Sequence, residues 1–504
     1  MARLYLFAVG GTGARVLKCL CHLLAAGTPL RDEHGQAMDL VPLVIDPDKE
    51  NGDTLECLGT LADYVKVKSQ LIEQTGGGYP CGFFQTRVLG YRQLQAVAAA
   101  GAGAPEEGEE NFRCGFIDAA KTRTFGEVID YDFLESDLDR GEPTRLLVDA
   151  LYSRTNIDTR LTGGFLGNPN VGTVVLNQVR HSRELKMLSG LFNSEDRIFL
   201  ISSIFGGTGA AGFPVLLKQL RQARNEQGQE APTLRQATVG ALTVLPYFGL
   251  DDDAKSPVDA NAFVPKTKAA LAYYANHLGR VDALYYIGDR ARKRYANTPT
   301  GITQRNLDHA IELIGATAVL HFAAQAKGGF GTPAYHECGV HVEPSKPFTL
   351  RGLGPVAHDI EEPVTQMAMM RLFLRGELSS PRSVELLFAQ PWTKEGEFGR
   401  AFFTPQSPAF APLSAYLERW WTSLANMARN DPKLQLFGDT LDVLRLDVDA
   451  RRHPDAGDIN KAVNALNRRL CGPPRSLQRL LTLLWKGTGD LYRKRYDHRT
   501  AVGV

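Results

Sequence analysis

The chain has 504 residues, 43% of them hydrophobic and 22% charged, which suits a globular protein of one large or two to three ordinary domains. Its formal net charge of +1 excludes a global basic field of the kind that draws a protein to nucleic acid or to an anionic membrane. Seven cysteines with no Cys-x-x-Cys pair read as reduced packing thiols, and no apolar stretch of about 20 residues is present, so a cytoplasmic protein without a membrane segment is expected.

In chain order, Leu4–Val9 is β-rich and closes in Gly10-Gly11-Thr12-Gly13, and Arg15–Ala26 has helical apolar spacing. Leu40–Ile45 is a second buried strand ending in Asp46-Pro47-Asp48. This β-α-β unit predicts a parallel sheet, and the acid after its second strand is where such folds often meet a ribose or base. Residues from about 95 to 145 lack core periodicity and read as an insertion. A glycine-rich loop then spans Gly163–Gly172.

The apolar run Arg197–Ile204 leads into Phe205-Gly206-Gly207-Thr208-Gly209-Ala210-Ala211-Gly212, and a helix follows to Arg221. Ala237–Phe248 is a strong strand ahead of Asp251-Asp252-Asp253. A helix is expected over Val264–Leu278 and a strand over Val281–Ile287, ending at Gly288-Asp289. Residues 306–326 are apolar nearly all round in their second half and read as a central buried helix. These observations predict a nucleotide-binding domain over 1–305, the central helix over 306–326, a second α/β domain over 327–411 and a helical C-terminal extension over 412–504.

A strand, then a turn of small residues, then a helix start places backbone N–H groups around an anion. Glycine lets the main chain approach a phosphate closely, and Thr208 adds a hydroxyl donor. No Gly-x-x-x-x-Gly-Lys-Ser/Thr is present, which excludes a P-loop enzyme. Gly11-Thr12-Gly13 only partly follows Gly-x-Gly-x-x-Gly, because Val16 takes the last glycine position.

With three such loops in this order, the chain resembles the tubulin/FtsZ superfamily, and most of all its divergent bacterial tubulin-like members. The Gly206 loop is similar to the signature Gly-Gly-Gly-Thr-Gly-Thr/Ser-Gly, and Gly164–Gly172 to the loop Gly-Ala-Gly-Gly-Asn-Pro-Glu-Val-Gly. Thr298-Pro299-Thr300 with Leu307-Asp308-His309 resembles the segment that opens the central helix. The likeness covers residues 1 to about 326 and implies a Rossmann-like GTPase domain.

The resemblance implies roles for matching positions. Gly10, Gly11, Thr12 and Gly13 would hold the α- and β-phosphates, and Gly206, Gly207, Thr208 and Gly209 the β-phosphate. Gly167 and Asn168 would sense the γ-phosphate, Asp46 would lie at the rim and Asp251 near the sugar. Asp289 and Asp308 fall where the family places base-reading residues; the Asp308 carboxylate could accept from both the N1–H and the 2-amino group of guanine, and Asp289 departs from the family's usual Asn. The implied cofactor is GTP or GDP, with Mg2+ as companion ion. The implied partners are further copies of the chain, stacked head to tail into a filament, and an operon-encoded protein.

The chain also departs from the pattern. Phe205 stands where a glycine is usual, Ala210 where a hydroxyl is usual, and Arg15 is read as a phosphate contact or a surface residue. No acid follows the central helix until Glu337, so Glu337, Asp359 and Glu361 are the candidates for positioning the hydrolytic water. That gap makes a non-hydrolysing nucleotide-dependent scaffold or switch the alternative to a GTPase.

Overall fold

The structure is a computed structural model. It describes residues 2–73, 82–94 without 92, 112–115, 124–136, 141–161, 164–290 without 166, 226 and 252–262, 294–295, 307–329, 335–337, 348–430, 434, 436, 454–467 and 476–495. The Thr298-Pro299-Thr300 segment and most of the expected insertion lie outside these residues.

The elements that frame the site are, in chain order, β1 (Arg3–Val9), α1 (Gly10–Ala26), β2 (Asp39–Ile45), α2 (Gly52–Glu73), α3 (Pro169–Leu176), β3 (Arg197–Ser203), α4 (Gly207–Arg221), β4 (Thr238–Val244), α5 (Phe263–His277), β5 (Ala283–Ile287), α6 (Ala310–Ala324) and β6 (Tyr335–Glu337). The six strands form one parallel sheet in the order β2-β1-β3-β4-β5-β6. The central strands are buried almost throughout, and they read as continuous apolar runs because helices cover both faces. Side chains alternate between the two faces. Leu4, Leu6 and Ala8 of β1 join one core, and Tyr5, Phe7 and Val9 join the other.

The helix after β1 and the helix after β3 lie on opposite faces. α1 packs with α2 and α6, and α4 packs with α3. The chain therefore leaves β1 toward one edge of the sheet and β3 toward the other. The crevice between their carboxyl ends is the topological switch point, where open α/β sheets bind ligands.

The α/β fold with a parallel sheet is as expected, and the region after α6 differs from expectation. α6 is a crossover within the same sheet, since β6 pairs in parallel with β5. Among the described residues, 327–411 contributes no second sheet. It adds β6 and then helices, chiefly α7 (Ala357–Glu377). The reason is the buried apolar surface of α7, which joins the core under α1. Among the described residues the C-terminal extension is helical: α8 (Phe410–Asn430), α9 (Ala456–Asn467) and α10 (Leu477–Arg495). They close the same core, which runs from Leu4 to Tyr492. Cys19, Cys21, Cys57 and Cys114 are buried free thiols, in line with the packing role expected of them. Among the described residues, no helix is long and apolar enough to cross a membrane.

Candidate functional site

The glycine turns meet at the switch point. Gly10 opens α1 at φ +70°, and a Cβ there would lie 3.3 Å from Thr208 Cβ. A Cβ on Gly207 would lie 3.0 Å from the Asn168 nitrogen and 3.1 Å from the Gly167 nitrogen. A Cβ on Gly164 would meet Asp48 at 3.7 Å, and one on Gly11 would meet Asn51 and Asp53 at 3.5–3.6 Å. The ends of β1, β2 and β3 and the loop before α3 thus share one small region.

Not every glycine in it faces the same way. A Cβ on Gly13 would lie 2.7 Å from the Ile201 carbonyl oxygen, and one on Gly209 2.5 Å from that of Ser203. These two let α1 and α4 press against the strands, a packing role. Gly10, Gly11, Gly206 and Gly207 border the crevice.

Two helix N-termini open there without side-chain caps. Val9 and Gly206 are the N-cap residues of α1 and α4; neither offers a capping oxygen, and neither helix has an acid in its first turn. The first N–H groups of a helix have no intrahelical acceptor and carry a partial positive charge. Two such ends side by side, with half-buried Thr12 and Thr208, form an anion-binding arrangement. The third end is different. Asn168 caps α3 itself, its Oδ1 accepting from the Asn170 and Val171 nitrogens.

Asp46 ends β2 at the rim. Its Oδ2 accepts from Thr54 Oγ1 at 2.9 Å, and its Oδ1 from the Asp48 nitrogen at 3.1 Å. Burial, reinforced by Asp48, pushes its carboxyl up to about 7. Asp48 is raised as well, first by burial.

Other expected residues lie elsewhere. Asp308 is buried at 2% exposure, ion-paired with Lys18 and bonded by Asn426 Nδ2 at 3.3 Å. Burial works against its charge, yet Lys18 holds the carboxyl below its ordinary value. Arg15 is neither a surface residue nor turned to the crevice. It is 2% exposed, pairs with Glu312 of α6, reaches Asp53 at 3.8 Å and donates to the Leu307 carbonyl at 2.6 Å. Glu312 is wholly buried, and that burial raises it to about 7 against the pull of Arg15. The physical cause is shared: α1 and α6 pack face to face, so polar groups on the contact must pair inside it.

Asp289 follows β5 on the same sheet edge, two strands beyond β3, and accepts from the Arg290 nitrogen. Asp251 is exposed and lies 3.7 Å from Arg294. Glu337 ends β6 opposite Tyr286. Asp359 is exposed in the first turn of α7. Glu361 is buried, ion-paired with Arg351 at 2.9 Å and bonded by the Tyr492 hydroxyl at 2.8 Å, so it ties α7 to α10.

Sequence reasoning missed two residues, Lys266 and Arg113, and the packing of Phe205. Lys266 in the first turn of α5 donates to the Gly167 carbonyl at 2.7 Å, bringing a cation to the crevice; nothing local in the sequence marks it. Arg113, 7% exposed and bridged to Val44, helps to hold down both Asp46 and Asp48, and two of its buried nitrogens have no hydrogen-bond partner. Phe205 packs on Tyr247, Phe248 and Phe263 with ring centroids 5.1–6.3 Å apart, which anchors the Gly206 turn. Asn51 caps the start of α2, its Oδ1 accepting from the Asp53 and Thr54 nitrogens, and the sequence reading did not use that signal.

A scan against protein-family models finds no match for the chain, and a search of the curated proteins finds none either.

Proposed function

We propose that the chain is a nucleotide-binding protein of the tubulin/FtsZ type that holds GTP or GDP in the crevice between β1 and β3. The observation that carries this reading is the meeting of the Gly10 and Gly206 turns, with uncapped α1 and α4 opening side by side. In that reading the N-terminal amides of α1 and α4 and the Thr208 hydroxyl hold phosphate oxygens. The Gly167–Asn168 turn and Lys266 lie against the distal phosphate, and Asp46 and Asp48 border the sugar.

A bound nucleotide would supply the negative charge that these helix ends lack. Among the described residues no cluster of three or more His, Cys, Asp or Glu is arranged to hold a metal. A companion Mg2+ would therefore be carried largely by the phosphates and water, as this ion commonly is. In this reading Asp289, at the carboxyl end of β5, is the remaining acid for the base, because the Asp308 carboxylate is engaged by Lys18 and Asn426.

In the same reading, copies stack head to tail in the cytoplasm, with the nucleotide at the contact. A heterologous contact that does not close gives a filament. The second reading is a scaffold or switch that binds without turnover, and the engagement of Glu361 by Arg351 and Tyr492 favours it. Denaturing the purified protein and identifying the released nucleotide by mass spectrometry tests the binding claim; release of no purine nucleotide would overturn it. Turnover measured against protein concentration separates the two readings. Assembly-coupled hydrolysis rises steeply with concentration, and a switch shows none.

A further inference from the structure

We propose that a basic cleft at the far end of α4 is a second ligand site, built for a small polyphosphorylated molecule. It rests on observations separate from the glycine turns and does not depend on what occupies them. The cleft has a volume of about 630 Å3 and is lined by the last turns of α4, the segment 177–186 and the chain around Arg224 and Glu230. That volume falls in the range of small-molecule sites. At about 1.5 Å per residue, Lys218 lies roughly 17 Å along α4 from Gly207, so the cleft is distinct from the crevice.

Its charge is one-sided. Arg180, Lys186, Lys218 and Arg224 line it with exposed side chains. Its acid, Glu230, lies 2.5 Å from Arg235 and is neutralised there. The C-terminal end of α4 contributes only about half a negative charge, so the cations prevail. Mixed Arg and Lys donors around a concavity suit phosphate oxygens.

Gln219 adds a second, independent observation. It is 8% exposed, and its Nε2 is fixed by the carbonyls of Leu176 at 3.3 Å and Asn177 at 3.0 Å. Its Oε1 is buried at the cleft wall with no hydrogen-bond partner. A buried acceptor of this kind calls for a donor. The ligand that answers both features carries several negative charges and an N–H or O–H group, as a nucleoside di- or triphosphate does.

Hydrogen exchange of the full chain, read by mass spectrometry, tests this with inorganic tripolyphosphate and with GTP. Both are expected to slow exchange in peptides covering 177–191 and 218–225. The double variant Lys186→Glu/Lys218→Glu should weaken that protection by about tenfold in ligand concentration while melting like the parent and leaving peptides at 9–13 and 203–210 unaffected. Gln219→Met should weaken GTP at the cleft and spare tripolyphosphate. The proposal is overturned by absence of protection at the cleft, by protection that survives charge reversal, or by protection given by polyglutamate and not by tripolyphosphate.

Discussion

Gly10 and Thr208 touch across the gap between β1 and β3, with only 3.3 Å separating Thr208 Cβ from where a Gly10 side chain would begin. The contact joins the first loop of the sheet to the loop that opens α4. It leaves the two uncapped helix ends side by side, and a small anion at this edge would meet both.

Gly10→Ala should therefore be costly in two ways. The residue sits at φ +70°, where an L side chain costs about 1–2 kcal/mol, and the added methyl crowds Thr208. The expected outcome is a modestly lowered melting temperature and loss of co-purified nucleotide. Retention at the parental stoichiometry would sink the assignment of this turn to phosphate.

Asp46 predicts a pH dependence. Its folded carboxyl is raised to about 7 by burial and by Asp48, well above its ordinary value of 3.8. Between those values the unfolded chain has released the proton and the folded chain still holds it, so stability falls as pH rises toward 7. Asp46→Asn keeps the Thr54 hydrogen bond and removes the titration. Its stability relative to the parent, from urea midpoints, should grow between pH 5 and pH 8. A difference that is flat with pH would refute the claim.

The Arg15–Glu312 pair binds α1 to α6 inside the core. Arg15→Met alone strands a buried carboxylate and should cost about 3–5 kcal/mol. The double variant Arg15→Met/Glu312→Leu removes both charges and should recover much of that loss. Chemical denaturation of the two single variants and the double variant measures the coupling, and additive losses would contradict it.

Tyr492→Phe removes the hydroxyl that bonds Glu361 at 2.8 Å and links α10 to α7. A lost hydrogen bond to a charged partner should cost about 1.5–3 kcal/mol, read as an earlier urea midpoint. An unchanged midpoint would mean that the Arg351 ion pair alone carries the tie.

The apolar run of β1, the small-residue turns and the acid after β2 were all legible in the sequence, because strand propensity and turn chemistry are local properties. So was the helical character of the C-terminal extension, because helical apolar spacing is also local. Local signals also suggested a second α/β domain after α6. That suggestion gave way because strand pairing is non-local: Tyr335–Glu337 completes the first sheet beside β5, and α7 buries its apolar surface under α1.

The sequence by itself determined which residues could line a phosphate: glycines that admit a positive φ, and a threonine at a helix start. Only the tertiary structure decided which of them face the crevice. Gly13 and Gly209 are taken up by close helix–strand contact, Asp308 and Arg15 by ion pairs where α1 meets α6, and Asn168 by the cap of α3. Lys266 and Arg113 enter the crevice from distant stretches of chain. The reason is that a side chain's partners are set by what packs opposite it, and residue type and spacing do not encode that neighbour.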